Sequence, residues 1–278
     1  MRDNVRIIKD SLFKILVYSL AFLSIVPLLM IILQIVKNGA SVITLKFFLR
    51  LPQPPGESGG GILNSLIGTF MLVILASTLA IPVGVATGIF LAEVKNKFTE
   101  FLGTLVNVLQ GLPSIVVGIL AYLWVVKPMG GFSAFSGAVA LSIMMLPMII
   151  KTTEETVRLI PFSLKEASFS LGANYTKTIL KVIIPASAGG ILSGIIIGIS
   201  RIVGETAPLL FTAFGNPYVN LNPAKPVDAL PLLIFNYAMS PYDEWHKIAW
   251  GTSLVLIVIV LGLNLLTKVA GKKWKTKF

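Results

Sequence analysis

The chain has 278 residues, of which 55% are hydrophobic and only 13% are charged. A soluble domain of ordinary composition carries about 25% charged residues, so this composition excludes a water-soluble globular protein and a disordered chain. The absence of cysteine and the single histidine, His246, exclude a disulfide scaffold, a thiolate nucleophile, an iron–sulfur cluster and a multi-histidine metal site.

Six apolar segments are long enough to cross a bilayer as helices, which requires about 20 apolar residues. In chain order they are residues 15–36, 62–92, 101–126, 132–150, 182–210 and 248–267. The first follows a basic leader, but it exceeds the roughly 7 to 15 residues of a signal-peptide core and is predicted to be retained. Residues 221–238 contain several prolines and Asp228, and they are predicted to form a loop with a short interfacial helix. The predicted fold class is therefore all-α, a polytopic membrane protein with six transmembrane helices.

The basic residues lie mainly on one side of this predicted topology. Of the 23 lysines and arginines, sixteen fall on the side of the two termini, six fall on the opposite side, and Arg201 lies inside the fifth span. Loops rich in Lys and Arg remain in the cytoplasm, so both termini are predicted to be cytoplasmic. The net charge of +11 then reflects topology, and no nucleic-acid partner is expected.

The longest loop on the cytoplasmic side, residues 151–181, is predicted to carry a short amphipathic helix. Ser163 and Glu166 have the spacing of a capping box, which would begin the helix, and Gly172 would end it in the left-handed conformation. One apolar stripe at helical spacing is formed by Leu164, Ala167 or Ser168, and Leu171. On amphipathicity alone, this helix could be an ordinary connector lying on the membrane surface.

The fifth span combines three regularly spaced glycines with two charged residues. At about 100° per residue, one narrow helical face without Ile or Leu would contain Gly190, Gly194, Gly198, Arg201, Glu205 and Pro208. Small residues at this spacing allow helices to pack closely in a membrane. Arg201 and Glu205 could form a merely structural ion pair, or they could line a transport pathway. The pathway is favoured because apolar residues would usually be at least as stable there as a buried ion pair.

The long loop also carries a sequence signature. Its residues Glu166-Ala167-Ser168, Gly172 and Val182-Ile183-Ile184-Pro185 keep the spacing of the EAA signature. In this respect the chain resembles the permease subunits of ABC importers. The resemblance implies the type I ABC importer permease fold and a loop helix that couples to a cytoplasmic ATPase through Glu166, Ala167, Ser168 and Gly172. A helix-capping role for Glu166 is compatible with that contact.

A second resemblance covers about residues 59–270 and concerns the permeases of phosphate-specific ABC importers. It rests on Gly204-Glu205-Thr206-Ala207-Pro208, on Gly111-Leu112-Pro113-Ser114, and on segments 59–62, 230–232 and 245–250. It implies that Arg201, Glu205 and Thr206 lie on the path of inorganic phosphate. A permanently charged guanidinium suits phosphate oxygens, and we hypothesise that Glu205 keeps Arg201 from holding the anion too tightly.

The same resemblance implies a set of partners. They are a homologous second permease subunit, a cytoplasmic ATPase dimer that uses ATP, an external phosphate-binding protein, inorganic phosphate and membrane lipid. The chain itself is expected to bind no cofactor or metal and to be a multi-pass protein of a prokaryotic inner or plasma membrane. Three parts are expected: residues 1–61 with the first span, a permease domain at 62–270 with the coupling loop at 151–181, and a basic tail at 271–278.

Enzymatic activity is not expected of this chain. It contains no G-x-x-x-x-G-K-[ST] segment, no H-E-x-x-H pair and no serine elbow, so ATP hydrolysis is expected on a separate subunit. Two alternatives remain open on the residues alone. A permease for sulfate or molybdate would keep the coupling loop, and an ion-coupled secondary transporter could use Arg201 and Glu205 but would normally show paired internal repeats.

Overall fold

The structure is a computed structural model that describes residues 2–57 and 59–273 and is predominantly helical. The first part of the chain forms α1 (Arg2–Gly39), α2 (Leu45–Leu49), α3 (Leu63–Glu93), α4 (Lys97–Gly111), α5 (Ser114–Ala121) and α6 (Lys127–Met129). The second part forms α7 (Ala134–Arg158), α8 (Phe162–Ser170), α9 (Tyr175–Thr178), α10 (Ile184–Val203), α11 (Ala207–Leu210), α12 (Leu230–Ala238) and α13 (Asp243–Lys273). Single π-helical turns, Tyr122–Val126 and Ile179–Ile183, join α5 to α6 and α9 to α10.

Five of the described helical segments are long and apolar enough to cross a membrane. They are Lys9–Gly39, Leu63–Glu93, Ala134–Arg158, Tyr175–Val203 and Asp243–Lys268. A sixth candidate span consists of Lys97–Gly111 and Ser114–Met129, two helical segments that meet at an angle of 106°. The all-α, polytopic fold class is thus confirmed, with a bent pair in place of the predicted third span.

The bend lies at Leu112 and Pro113, in the middle of the predicted third span. Proline lacks an N–H, fixes its own φ and disfavours the helical conformation for the residue before it. Leu112 accordingly has φ −69° and ψ 132°, an extended conformation that ends α4. The prediction of one continuous helix over residues 101–126 is therefore wrong, because backbone chemistry interrupts an unbroken apolar run.

The fifth predicted span ends earlier than expected. α10 stops at Val203, Gly204 follows as its C-cap, and α11 is a separate short helix. Glu205 and Pro208 therefore do not lie on the same helix as Arg201, and the prediction of one helical face through all three is wrong. In a continuous helix the N–H of residue 208 would donate to the carbonyl of residue 204, and proline has no N–H to donate.

α3 and α7 form the centre of the fold, and two glycines of α3 allow them to pack closely. A Cβ atom at Gly88 would lie 2.6 Å from Thr153 Cβ and 2.7 Å from the Ile150 carbonyl oxygen. A Cβ atom at Gly84 would lie 2.8 Å from Ile149 Cγ2. The buried core around this contact includes Leu72, Ala76, Ala80, Ala138, Leu141, Met145, Ile149, Ile202 and Leu209. α3 and α7 therefore form one tightly packed unit.

The helices define two ends of the molecule. At one end, here called the α8 end, lie α8 and the carboxyl ends of α3 and α7, where Arg158 Nη2 is 3.2 Å from the Leu91 carbonyl oxygen. The opposite end contains the first turns of α3 and α7 and the connection 204–242. α1 packs against α13, with Gly39 beside Trp250, so α1 begins and α13 ends at the α8 end. Of the predicted basic tail, residues 274–278 lie outside the described residues.

The helix predicted within residues 221–238 is present, but it is more buried than expected. α12 follows a long connection, and its first turn lies inside the bundle. Leu230 and Leu233 belong to a buried cluster with Phe47 and Ile248. The apolar side of α12 thus packs against α2 and α13 at the end of the molecule opposite α8.

Candidate functional site

α8, the helix of the long loop, does not begin as the spacing predicts. It starts at Phe162 with Pro161 at the N-cap position, and no side chain caps it. The predicted capping box of Ser163 and Glu166 is wrong. Ser163 lies inside the first turn, and Pro161 at the N-cap has no N–H to donate to a carboxylate. At the other end, the φ of Gly172 is +77°, which confirms the predicted left-handed residue.

The residues of the EAA segment lie on different sides of α8. Glu166 and Ala167 are exposed, as is Gly172 beyond the end of the helix. Ser168 is buried, and its hydroxyl lies 2.9 Å from the hydroxyl of Thr178 in α9. Ser168 is therefore placed to hold α8 against α9, while its neighbours face outward.

The predicted apolar stripe of α8 is only partly buried. Leu164 packs against a cluster formed by Val157, Ile160 and Ile183. Leu171, at the other end of the stripe, exposes 89% of its surface. α8 is thus attached to the bundle through Leu164 near its start, and the apolar C-cap residue Leu171 faces outward.

Arg201 and Glu205 meet at the end of α10 that is distant from α8. Arg201 Nε is 3.5 Å from Glu205 Oε1, and the two side chains expose 40% and 19% of their surface. This distance exceeds the roughly 2.7–2.9 Å of a charge-assisted hydrogen bond, so the pair is loose. Among the described residues, the Arg201 guanidinium makes no other hydrogen bond or ion pair. Thr206 follows half-buried at the start of α11, so the three residues predicted on the pathway lie together.

The three glycines of α10 pack against α7, whereas Arg201, which follows them at helical spacing, is exposed. A Cβ atom at Gly190 or Gly194 would overlap threonine side chains of α7, and one at Gly198 would lie 3.1 Å from Met145 Cγ. The glycine side of α10 is therefore covered by α7 of the same chain. Arg201 lies one turn beyond Gly198 on this side by helical spacing, and there the described residues leave 40% of its side chain exposed.

A buried carboxylate that no motif indicates lies at the end opposite α8. Asp228 is 8% exposed, and its Oδ2 accepts hydrogen bonds from Ser65 Oγ and, at 3.3 Å, from Asn64 Nδ2. Asn64 Nδ2 also donates to the Asn216 carbonyl oxygen at 2.7 Å. These bonds tie the first turn of α3 to the connection before α12, beside a cavity of about 740 Å³. The one signal in the sequence is that these residues are polar among apolar neighbours.

We expect Asp228 to make folding stability depend on pH between about 4 and 6. Burial raises the pKa of Asp228 from 3.8 to about 6, against hydrogen bonds from Ser65, the Ala229 backbone and Asn64 that lower it. The folded protein thus holds the proton more tightly than the unfolded chain. The resulting stabilisation is largest below about pH 4 and is lost as the pH rises through 6, with a total of about 3 kcal/mol. Thermal unfolding in detergent between pH 4 and 8 measures it.

Two variants separate this contribution from other titrating groups. Asp228→Asn keeps the size of the side chain but removes its ionisable carboxyl group. The unfolding midpoint of this variant should change little with pH between 4 and 6. Asp10→Asn, which removes a carboxylate with 61% of its surface exposed, should leave the profile unchanged. A wild-type profile in the Asp228→Asn variant would show that Asp228 is not the group responsible.

Comparisons with known proteins agree with this arrangement. Residues 84–273 match the family model described as binding-protein-dependent transport system inner membrane component. The phosphate transport system permease protein PstA of Xylella fastidiosa (strain Temecula1) is 42% identical over 234 residues, which are 83% of this chain and 81% of that protein. PstA of Yersinia pestis is 38% identical over 250 residues, 89% of this chain and 85% of that protein.

A solved structure has the same fold. A chain of a bacterial alginate ABC transporter superposes with a TM-score of 0.67, covering 95% of this chain and 96% of that one. The two sequences are only 15% identical. This likeness therefore concerns the arrangement of the helices alone.

Proposed function

Since the chain belongs to the binding-protein-dependent transport system inner membrane components, and within them to the PstA phosphate permeases, we propose that it forms half of the membrane pore of an ATP-driven phosphate importer. It is a transport permease subunit and not an enzyme, and it is a multi-pass membrane protein. We place it in the inner or plasma membrane of a prokaryotic cell. The excess of basic residues favours a cytoplasmic location for the α8 end and both termini.

The proposed partners follow from this role. A homologous, PstC-like permease completes the pore, a PstB-like ATPase dimer binds and hydrolyses ATP in the cytoplasm, and a PstS-like binding protein delivers phosphate outside. The permease domain comprises residues 62–270, which contain most of the family match at 84–273. The chain itself holds no cofactor in this scheme, because the partner ATPase binds and hydrolyses the ATP.

Arg201, Glu205 and Thr206 form the part of the pathway that contacts phosphate. The supporting observation is a loose, partly exposed ion pair at the end of an apolar span, with 3.5 Å between Arg201 Nε and Glu205 Oε1. A guanidinium whose carboxylate partner is loosely held can exchange it for a phosphate oxygen, because both accept from the same N–H groups. Glu205 then competes with the anion and speeds its release. The names of the curated relatives favour phosphate over sulfate or molybdate.

α8 transmits the action of the ATPase to this pathway. Its exposed surface includes Glu166, Ala167 and the C-cap residue Leu171, an acidic and apolar surface suited to a protein partner. Residues 159–161 join α8 directly to α7, and α9 with its π-helical turn joins it to α10. A displacement of α8 therefore acts on both helices.

Phosphate uptake into liposomes tests this function. The complete complex, purified through this chain, should accumulate phosphate only when loaded binding protein and ATP are supplied on opposite sides of the membrane. The Leu171→Asp variant places a charge on the exposed surface of α8. It should lower the amount of co-purified ATPase about tenfold or more, the effect of losing about 1.4 kcal/mol of binding.

The control for this variant lies at the other end of the molecule. Lys247→Ala changes an exposed side chain opposite α8 and should leave the ATPase bound. Uptake without ATP would contradict an ATP-driven importer. Equal competition by sulfate and molybdate would contradict specificity for phosphate.

A further inference from the structure

Glu93 and Lys165 form a buried ion pair between the last residue of α3 and the middle of α8. Lys165 Nζ lies 2.6 Å from Glu93 Oε1 and 2.8 Å from Glu93 Oε2. The side chains of Lys165 and Glu93 expose only 18% and 7% of their surface. Tyr175 donates a longer hydrogen bond, 3.4 Å, from its hydroxyl to Glu93 Oε2. Both oxygens of the carboxylate are thereby held.

Burial distinguishes this pair from an exposed pair at the same end of the molecule. Lys14 and Asp10 also lie 2.7 Å apart, but each exposes 61% of its side chain. Solvent screens an exposed ion pair, which therefore contributes little to stability and does little to hold two helices in one orientation. Apolar residues would often be as stable as a buried ion pair, so stability alone does not account for Glu93 and Lys165. Unlike an apolar contact, a charge-assisted hydrogen bond fixes the relative orientation of the two groups that it joins.

The end of α3 is also held by α7. Arg158 donates to the Leu91 carbonyl oxygen at 3.2 Å, two residues before Glu93. Together with the close glycine contacts described above, this bond makes α3 and α7 a single stiff unit. Glu93 is the terminal residue of α3 in that unit, and Lys165 attaches α8 to it.

The remaining contacts of α8 with the bundle constrain it less. Leu164 packs against Val157, Ile160 and Ile183, and apolar attraction has no directional preference. Among the described residues, the Ser168 hydroxyl bonds to Thr178 of the neighbouring helix α9 and to no group of the spans. Without the Glu93–Lys165 pair, α8 stays joined to α7 through residues 159–161 but could rotate or slide on its apolar contact, so that its displacement reaches the spans only in part.

We propose that Glu93 is a positioning residue for transport, whose bond to Lys165 makes α8 and the α3–α7 unit move together. A displacement of α8 by the ATPase then reaches the spans that surround the phosphate pathway. The inference rests on the proposed function, in which α8 is the contact for the ATPase. Loss of the pair has a specific consequence: ATP is hydrolysed while the spans follow α8 incompletely, so fewer phosphate ions are imported per ATP.

The test compares Glu93→Gln and Lys165→Met in the complete complex reconstituted in liposomes. The ratio of ATP hydrolysed to phosphate imported is measured, together with the amount of ATPase bound. Both variants should keep the ATPase bound and active, and the ratio should rise about five- to tenfold, the size expected for a lost coupling interaction. The double variant Glu93→Lys/Lys165→Glu restores an ion pair and should return the ratio to within about twofold of the wild type.

A matched control and the charge-swapped variant make the result decisive. Asp10→Asn removes a carboxylate from the exposed pair at the same end and should leave the ratio unchanged. An unchanged ratio in assembled Glu93→Gln and Lys165→Met complexes overturns the inference. If neither single variant assembles, the swapped variant decides, since a wild-type ratio supports the inference and a raised ratio overturns it. Absence of ATPase from the wild-type complex would instead refute the proposed function, so the two failures are distinguishable.

Discussion

Replacing Arg201 by alanine is expected to lower ATP-driven phosphate uptake about 10- to 100-fold, the loss of a hydrogen bond to a charged group worth about 1.5–3 kcal/mol. The complex should still assemble, because Arg201 is 40% exposed and only loosely bound to Glu205. Arg201→Lys keeps the charge without the planar pair of donors and should give an intermediate rate. The measurement is the initial rate of labelled phosphate uptake in liposomes at saturating binding protein and ATP.

Glu205 and a distant lysine provide the comparison for this experiment. Glu205→Gln removes the carboxylate that competes with phosphate, so phosphate should bind more tightly and leave more slowly. Its maximal rate should fall while its apparent affinity rises. Lys247→Ala removes an exposed cation at the same end of the molecule and should transport normally. Wild-type uptake by a well-assembled Arg201→Ala complex would remove Arg201 from the pathway.

The Gly88→Ala substitution is expected to destabilise the protein by about 1–3 kcal/mol, although alanine is the better helix former by about 1 kcal/mol. The added methyl group would lie 2.6 Å from Thr153 Cβ and 2.7 Å from the Ile150 carbonyl oxygen. The second of these atoms belongs to the backbone and cannot rotate away, so α3 and α7 must separate. The midpoint of thermal unfolding in detergent measures this loss.

A second glycine provides the matched control. Gly262 lies in α13, and a Cβ atom there would meet nothing within 4 Å. Gly262→Ala should therefore keep or slightly raise the unfolding midpoint through helix propensity alone. The two substitutions are chemically identical, so a difference in sign between them isolates packing. Equal midpoints would contradict the close contact between α3 and α7.

Hydropathy predicts most of the fold, because the apolar length needed to cross a bilayer is a property of the local sequence. It fails where one residue changes the backbone inside an apolar run. Pro113 divides the predicted third span into two helices, and Gly204 ends α10 before Glu205. Pro161 likewise displaces the start of α8 and removes the capping box expected from Ser163. In each case a single proline or glycine changes the backbone and ends or shifts the helix that the hydropathy or capping pattern predicts.

The sequence predicts contacts in the candidate site only between residues that are a few positions apart along the chain. Arg201 and Glu205 remain in contact although α10 ends between them, because four residues of turn still bring the side chains within 3.5 Å. The pairs of Glu93 with Lys165 and of Ser65 with Asp228 are 72 and 163 residues apart along the chain. No periodicity or motif relates residues at such separations. They meet only because the spans pack side by side.

The peripheral position of α1 has a consequence for how the protein is made. The apolar part of α1 is 0% buried within the described chain, and its main packing partner is α13, reached through Gly39 beside Trp250. Because α1 is synthesised long before α13, it stays surrounded by lipid while the intervening helices are inserted. Docking of α13 against α1 is then a late step of biogenesis.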